Sequence, residues 1–250
     1  MADKVKVEFE LQMGEEGVRV AVSVPVAPVP VRRMLPLFQG LANQVVDAAV
    51  LDATKRDEEV SCKAGCGACC RHLVPISHPE ARQIRALVDA MPEPRRTEVR
   101  ARFAAAVARL EAEGLLPDVR GFDKLAQQEF LTVHPRYFKL GIPCPFLEDE
   151  SCSIYPNRPL ICREYLVTSP PELCFDVASP KVKRIPMPTF VSLAVANLEG
   201  TDPSDSRLAL VLALEWTDAH AADAETTRPA TEWIDALLEG LARKAPANNP

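Results

Sequence analysis

Four of the chain's eight cysteines fall within nine positions, in the stretch CKAGCGACCR: Cys62, Cys66, Cys69 and Cys70. The other four follow at Cys144, Cys152, Cys162 and Cys174. Thiolates are soft ligands, so the set selects zinc or an iron–sulfur cluster over magnesium or calcium. Eight thiolates divide by number into two four-thiolate sites, and four ligands with four spare thiols fits the count equally well. A buried cysteine can also be no more than a small hydrophobe. That suits an isolated residue and fits four in nine positions poorly.

The first group is spaced by steps of three and four. On a helix or tight turn such steps let three thiols converge. Cys69 and Cys70 are adjacent, and neighbouring helical side chains diverge by about 100°. The spacing therefore predicts that the two point apart and that at least one looks across to the second group. Gly65 and Gly67 bring backbone amides close to thiolate sulfur. The run Cys62-x3-Cys66-x2-Cys69 also has the spacing of radical S-adenosylmethionine enzymes. Ala68 stands where those enzymes usually carry an aromatic residue, and the chain lacks the repeated βα units of their barrel.

Arg71 and Arg163 adjoin cysteines, and Arg158 lies between two of them. A guanidinium there either offsets thiolate charge or makes structural pairs with Glu164, Glu148 or backbone carbonyls. His72 and His78 are near enough in sequence to replace a cysteine as ligand. His134 and His220 read as surface or core residues, and Glu80 as a first-turn residue favoured by the helix dipole. Tyr155 and Tyr165 read as core packing with a bonded hydroxyl.

The second half runs GIPCPFLEDESCSIYPNRPLICREY and ends at PPELC. CxxxCGxCCR followed by CPFL, CxIYxxRPxxCRxY and a final cysteine resembles the YkgJ-type cysteine-cluster family, a zinc- or iron-chelating domain. The likeness spans Cys62 to about Cys174 and includes Pro145, Phe146, Leu147, Ile154, Tyr155, Arg158, Pro159, Arg163 and Tyr165. It implies metal chelation through all eight cysteines and implies no reaction. A flagellin lysine methylase carries a similar cysteine pattern, which keeps an iron–sulfur oxidoreductase or methyl-group transferase among the readings. A third reading is a protein-interaction module that zinc stabilises.

The elements that must position these residues are mostly helical. Val5, Val7, Phe9 and Leu11, then Val18, Val20, Val22 and Val24, alternate with polar residues about a turn at Gly14–Gly17, the pattern of a β-hairpin. Helical apolar spacing predicts helices over about 32–59, 78–90, 95–113 and 122–131, with Gly114 as a C-cap. Residues 189–198 and 208–220 lean helical, with 208–212 possible as extended chain, and 232–243 is a final helix. With 23 prolines against 10 glycines, the segment 143–188 is expected to be irregular. The expected fold is mainly α (α+β), an irregular cysteine-rich metal-binding core with packed helices and an N-terminal β-hairpin. The expected organisation is hairpin 1–31, cysteine-cluster domain 32–188, and a C-terminal helical extension 189–250 packed on it.

A net charge of −6 argues against a general nucleic-acid binder. No dinucleotide or Walker-type glycine loop is present. The N-terminus alternates charge and apolar residues and lacks a secretory pattern, and no apolar run is long enough for a bilayer. The expectation is a cytoplasmic protein with reduced thiols, a metal ion as partner, neither membrane nor nucleic acid, and no protein partner identifiable.

Overall fold

The computed structural model describes residues 4–13, 16–63, 65–125, 127–176, 179–199 and 206–242. Strands β1 (Lys4–Met13) and β2 (Glu16–Pro25) pair antiparallel from Lys4↔Pro25 to Met13↔Glu16, as the alternation predicts. The tip residues 14–15 lie outside the described residues. Pro25 cannot donate to a ladder and ends the hairpin. Strand β3 (Val29–Pro30) and a 3-10 turn at Val31–Arg33 follow.

Helix α1 (Leu35–Lys55) is shorter at both ends than its apolar spacing suggests. It buries Phe38, Leu41, Ala42, Val45 and Ala49. Strand β4 (Pro75–Ser77) and helix α2 (His78–Asp89) come after the first cysteine group. Ser77 and Glu80 form a reciprocal capping box at the start of α2, which fixes where the helix begins. Helix α3 (Arg95–Ala112) buries Val99, Phe103, Ala106 and Leu110. Gly114 ends it at φ +63°, and the Leu115 amide returns to the Leu110 carbonyl at 2.9 Å. Glycine meets this left-handed position without steric cost.

Helix α4 (Leu116–Arg120) is a short element without a clear periodic signal. The helix expected over 122–131 is displaced. Phe122–Lys124 is a 3-10 turn, and α5 spans Gln127–Lys139. Helix α5 runs through Pro135, which forfeits one backbone bond. That turn lies on the exposed side, at Leu131 and Thr132, while Val133 and Tyr137 are buried. Burial of that face outweighs the proline's preference to end the helix.

The described residues from 143 to 188 are largely irregular, as the prolines predict. They contain β5 (Leu147–Glu148), β6 (Ser151–Cys152) and a short helix α6 (Leu160–Glu164). Helix α7 (Val191–Ala196) is only part of the apolar segment 189–198. The segment 208–220 divides into strand β7 (Arg207–Ala209), a 3-10 turn at Leu210–Leu212, and α8 (Ala213–Ala219). Pairing of β7 with β4 draws Leu208 and Ala209 out of the helix. Strand β8 (Thr227–Arg228) pairs with β3, and α9 (Ala230–Ala242) closes the described chain.

The fold is mainly α with two-stranded sheets. One core gathers α2, α3, α4, α5, α8 and the β4–β7 ribbon. A second gathers β2, α1, α7 and α9, with Trp233 fully buried and its indole N–H donating to the Val29 carbonyl at 2.8 Å. Leu160 at the start of α6 belongs to this second core, whereas Cys144 and Cys152 pack against the first. The cysteine-rich segments thus contact both. Among the described residues no helix is long and apolar enough to cross a membrane.

Candidate metal centre

The first cysteine group is a loop with two tight turns. The Cys66 amide closes on the Lys63 carbonyl at 3.1 Å, and Ala68–Arg71 forms a 3-10 turn after Gly67. Gly65 adopts φ +86°. Gly67 is required for a different reason. A Cβ there would lie 2.6 Å from Glu150 Oε2, 2.7 Å from Leu147 Cδ1 and 3.1 Å from the Glu150 carbonyl oxygen. The β5–β6 ribbon therefore lies directly on the loop, and its tip residues Asp149 and Glu150 both take left-handed φ values.

Three further ties join the loop to the second group. The Cys144 amide donates to the Cys70 carbonyl at 2.7 Å. Arg71 forks onto the Glu150 carboxylate at 2.6 and 3.0 Å and also donates to the Gly67 carbonyl. The Ser61 amide donates to the Val167 carbonyl at 2.9 Å, while the Val167 amide points at Cys62 Sγ at 3.4 Å. On its far side the 166–168 segment pairs with 183–185.

These ties give one cavity of about 230 Å³ lined by Cys62, Cys66, Cys69 and Cys70 of the first group and Cys144, Cys152 and Cys162 of the second. Cys174 is buried next to it, packed with Ala68 and Val167 against Cys62 and Cys66. All eight are free thiols. Among the described residues, no three histidine, cysteine, aspartate or glutamate side chains stand close enough together to hold one ion. The thiols therefore ring a void instead of meeting at a point.

The expected divergence of Cys69 and Cys70 is not found, since their side chains are in hydrogen-bond contact. That contact first, and burial second, hold the Cys69 thiol well above its ordinary range. Burial pushes Cys62 and Cys152 up, Cys144 up to about 12, Cys174 up to about 11, and Cys162 well above its usual value. Cys69 adds to the shift of every one of these five, so it faces both groups. Buried thiols of this kind stay protonated until a cation replaces the protons. A soft, partly desolvated donor set drawn around one cavity fits a thiophilic metal.

The neighbouring charged residues take roles the spacing left open. Glu148 pairs with Arg95 and Arg102. Glu164 accepts from Ser192 at the start of α7, and burial raises its carboxyl to about 7. Arg163 is structural, donating to the Arg158 and Pro156 carbonyls and to Asn43. Glu80 does more than cap α2, because its second oxygen accepts from the Leu160 amide at 2.8 Å and so caps the helix that carries Cys162. Tyr155 is not core: it is 51% exposed at the cavity, with the Arg158 guanidinium 4.1 Å from its ring centre. Tyr165 is half-buried under Arg184.

Neither His72 nor His78 lines the cavity. His78 stacks on Trp216. His72 lies 3.1 Å from the Cys174 carbonyl through Nε2 and 3.2 Å from His134 Nε2 through Nδ1. A carbonyl only accepts, so His72 carries its proton on Nε2 and takes a hydrogen bond from His134. His134, read from sequence as a surface or core residue, is the partner of His72. Its separation of 62 residues left no sequence signal.

No curated protein and no solved structure matches the chain. A family model does match, over residues 61–181, just under half of the chain and including every cysteine. The model is that of the family CxxCxxCC, described as "Putative zinc- or iron-chelating domain", which the segment matches.

Proposed function

We propose that the protein is a cysteine-ligated metal-binding protein whose ligands are drawn from both cysteine groups, Cys62, Cys66, Cys69 and Cys70 with Cys144, Cys152, Cys162 and Cys174. The observation that carries this is the shared cavity, into which seven cysteines separated by up to a hundred residues all face. Thiolates held there would take zinc or iron, and the family description agrees with both. We place the protein in the cytoplasm, where its free thiols stay reduced, and read 1–31, 32–188 and 189–250 as its hairpin, metal-binding and C-terminal parts.

A second reading is an iron–sulfur-dependent enzyme, an oxidoreductase or methyl-group transferase. The ring of thiols around about 230 Å³ favours it, since one zinc ion with sulfur at about 2.3 Å needs far less room.

Purification under argon, with metal analysis and an absorption spectrum, tests both. Zinc in a colourless protein supports the first reading. Iron with acid-labile sulfide and a broad band near roughly 400 nm supports the second. A chain that holds neither metal under these conditions, nor takes one up, refutes the proposal.

A further inference from the structure

The cavity wall contains one cation with an unusual environment. Arg158 lines the same cavity as the seven cysteines, and its Nε is buried without a hydrogen-bond partner among the described residues. Buried N–H groups are almost always paired. The nearby arginines are already committed, Arg71 to Glu150 and Gly67, Arg163 to carbonyls and Asn43.

The backbone holds Arg158 in place. Its carbonyl accepts from Arg163 Nε at 3.1 Å and from Gln39 at 3.5 Å. Outside, its guanidinium lies over the exposed ring of Tyr155. Arg158 shares the cavity wall with Cys62 and Cys69 of the first group and Cys152 and Cys162 of the second. The uncharged thiol is a poor acceptor, whereas a metal-bound thiolate is a good one. No cysteine sulfur stands in hydrogen-bond geometry to Nε; metallation both turns the thiols into thiolates and draws their sulfurs together, which supplies the partner.

We propose that Arg158 is a positioning residue of the metal centre: its buried Nε–H donates to a metal-bound cysteine thiolate, and its charge offsets the excess negative charge of the thiolate set. This rests on the metal-centre reading above. A four-thiolate site around a divalent ion carries a net charge of −2, and one guanidinium halves it. Tyr155 covers the outer face of the guanidinium and limits its hydration. Outer partners of metal ligands act in this way on affinity and on the electronics of the ligand.

The test loads full-length wild type, Arg158→Gln and Arg158→Lys with Co(II) under argon. It measures metal per chain, affinity by chelator competition and the position of the sulfur-to-cobalt charge-transfer band. A hydrogen bond to sulfur lowers its donor orbital, so loss of the bond moves the band to lower energy. Arg158→Gln is expected to keep the wild-type stoichiometry, to bind about 10- to 100-fold more weakly, and to show the shifted band. Arg158→Lys restores part of the affinity, because the charge remains, but not the band position. Wild-type affinity and band in both variants overturn the proposal. If Arg158→Gln does not fold, the band of Arg158→Lys decides alone, and a wild-type position overturns it. A wild-type chain that takes up no metal is a separate outcome, which refutes the metal-centre reading and this proposal with it.

Discussion

The amide of Cys144 donates to the carbonyl of Cys70 at 2.7 Å, a direct backbone bond between the two cysteine groups across 74 residues. The neighbouring contacts at Gly67, Arg71 and Ser61 reinforce it. The first loop and the second segment are consequently one packed unit, and disturbing either one disturbs the cavity.

Gly67→Ala tests that contact. A methyl group would meet Leu147 and both the side chain and backbone of Glu150 at or below 3.1 Å. The ribbon has to move away, at a cost of about 1–3 kcal/mol. Urea unfolding should show this loss together with a lower metal content per chain. Unchanged stability would mean that the ribbon does not press on the loop.

Glu80 offers a sharper case because one buried carboxyl serves two helix starts. Glu80→Ala orphans the amides of Ser77 and Leu160, and should cost about 2–4 kcal/mol. Glu80→Gln keeps an acceptor and should cost less than half of that. Equal losses in the two variants, measured by chemical denaturation, would assign the effect to packing instead of capping.

His134 predicts a pH dependence. Burial, then the neighbouring His72 and Arg184, pull its imidazole down from the ordinary 6.5 to about 4. Between those values the unfolded chain binds the proton and the folded chain does not. Stability therefore falls as pH drops from about 6.5 to 4, and a partly exposed ring leaves this at about 1–2 kcal/mol. Thermal melts of wild type and His134→Gln across this window should show a shallower slope in the variant. Parallel slopes would remove His134 as a cause.

Metal removal should loosen the segment 143–188 first. Its described residues form few regular elements and carry four of the eight cysteines, so metal-binding free energy there becomes folding free energy. Hydrogen exchange with and without a chelator should show protection lost in 143–188 and retained in α3 and α9. Equal protection in both states would show that the segment is ordered without metal.

The sequence by itself determined the element types and the chemistry of the donor set. Alternation over Val18–Val24 forces a half-buried strand, and three- and four-residue spacing in Val99, Phe103, Ala106 and Leu110 forces a helix face, because both patterns act over local distances. Eight cysteines in a recurrent pattern define soft thiolate chemistry wherever they fold. Tertiary structure alone decided which charges meet them. Arg71 pairs with Glu150, Arg163 binds carbonyls, and Arg158 is left facing the thiols, although all three read alike in sequence. It also decided that Leu208–Ala209, open in sequence between helix and extended chain, pair with β4, and that His134 reaches His72. Apart from the Arg163 bonds to carbonyls five and seven residues back, these outcomes depend on contacts between residues 62 to 134 positions apart. No local propensity encodes such contacts; the packing of two separate cores around the cysteine segments fixes them.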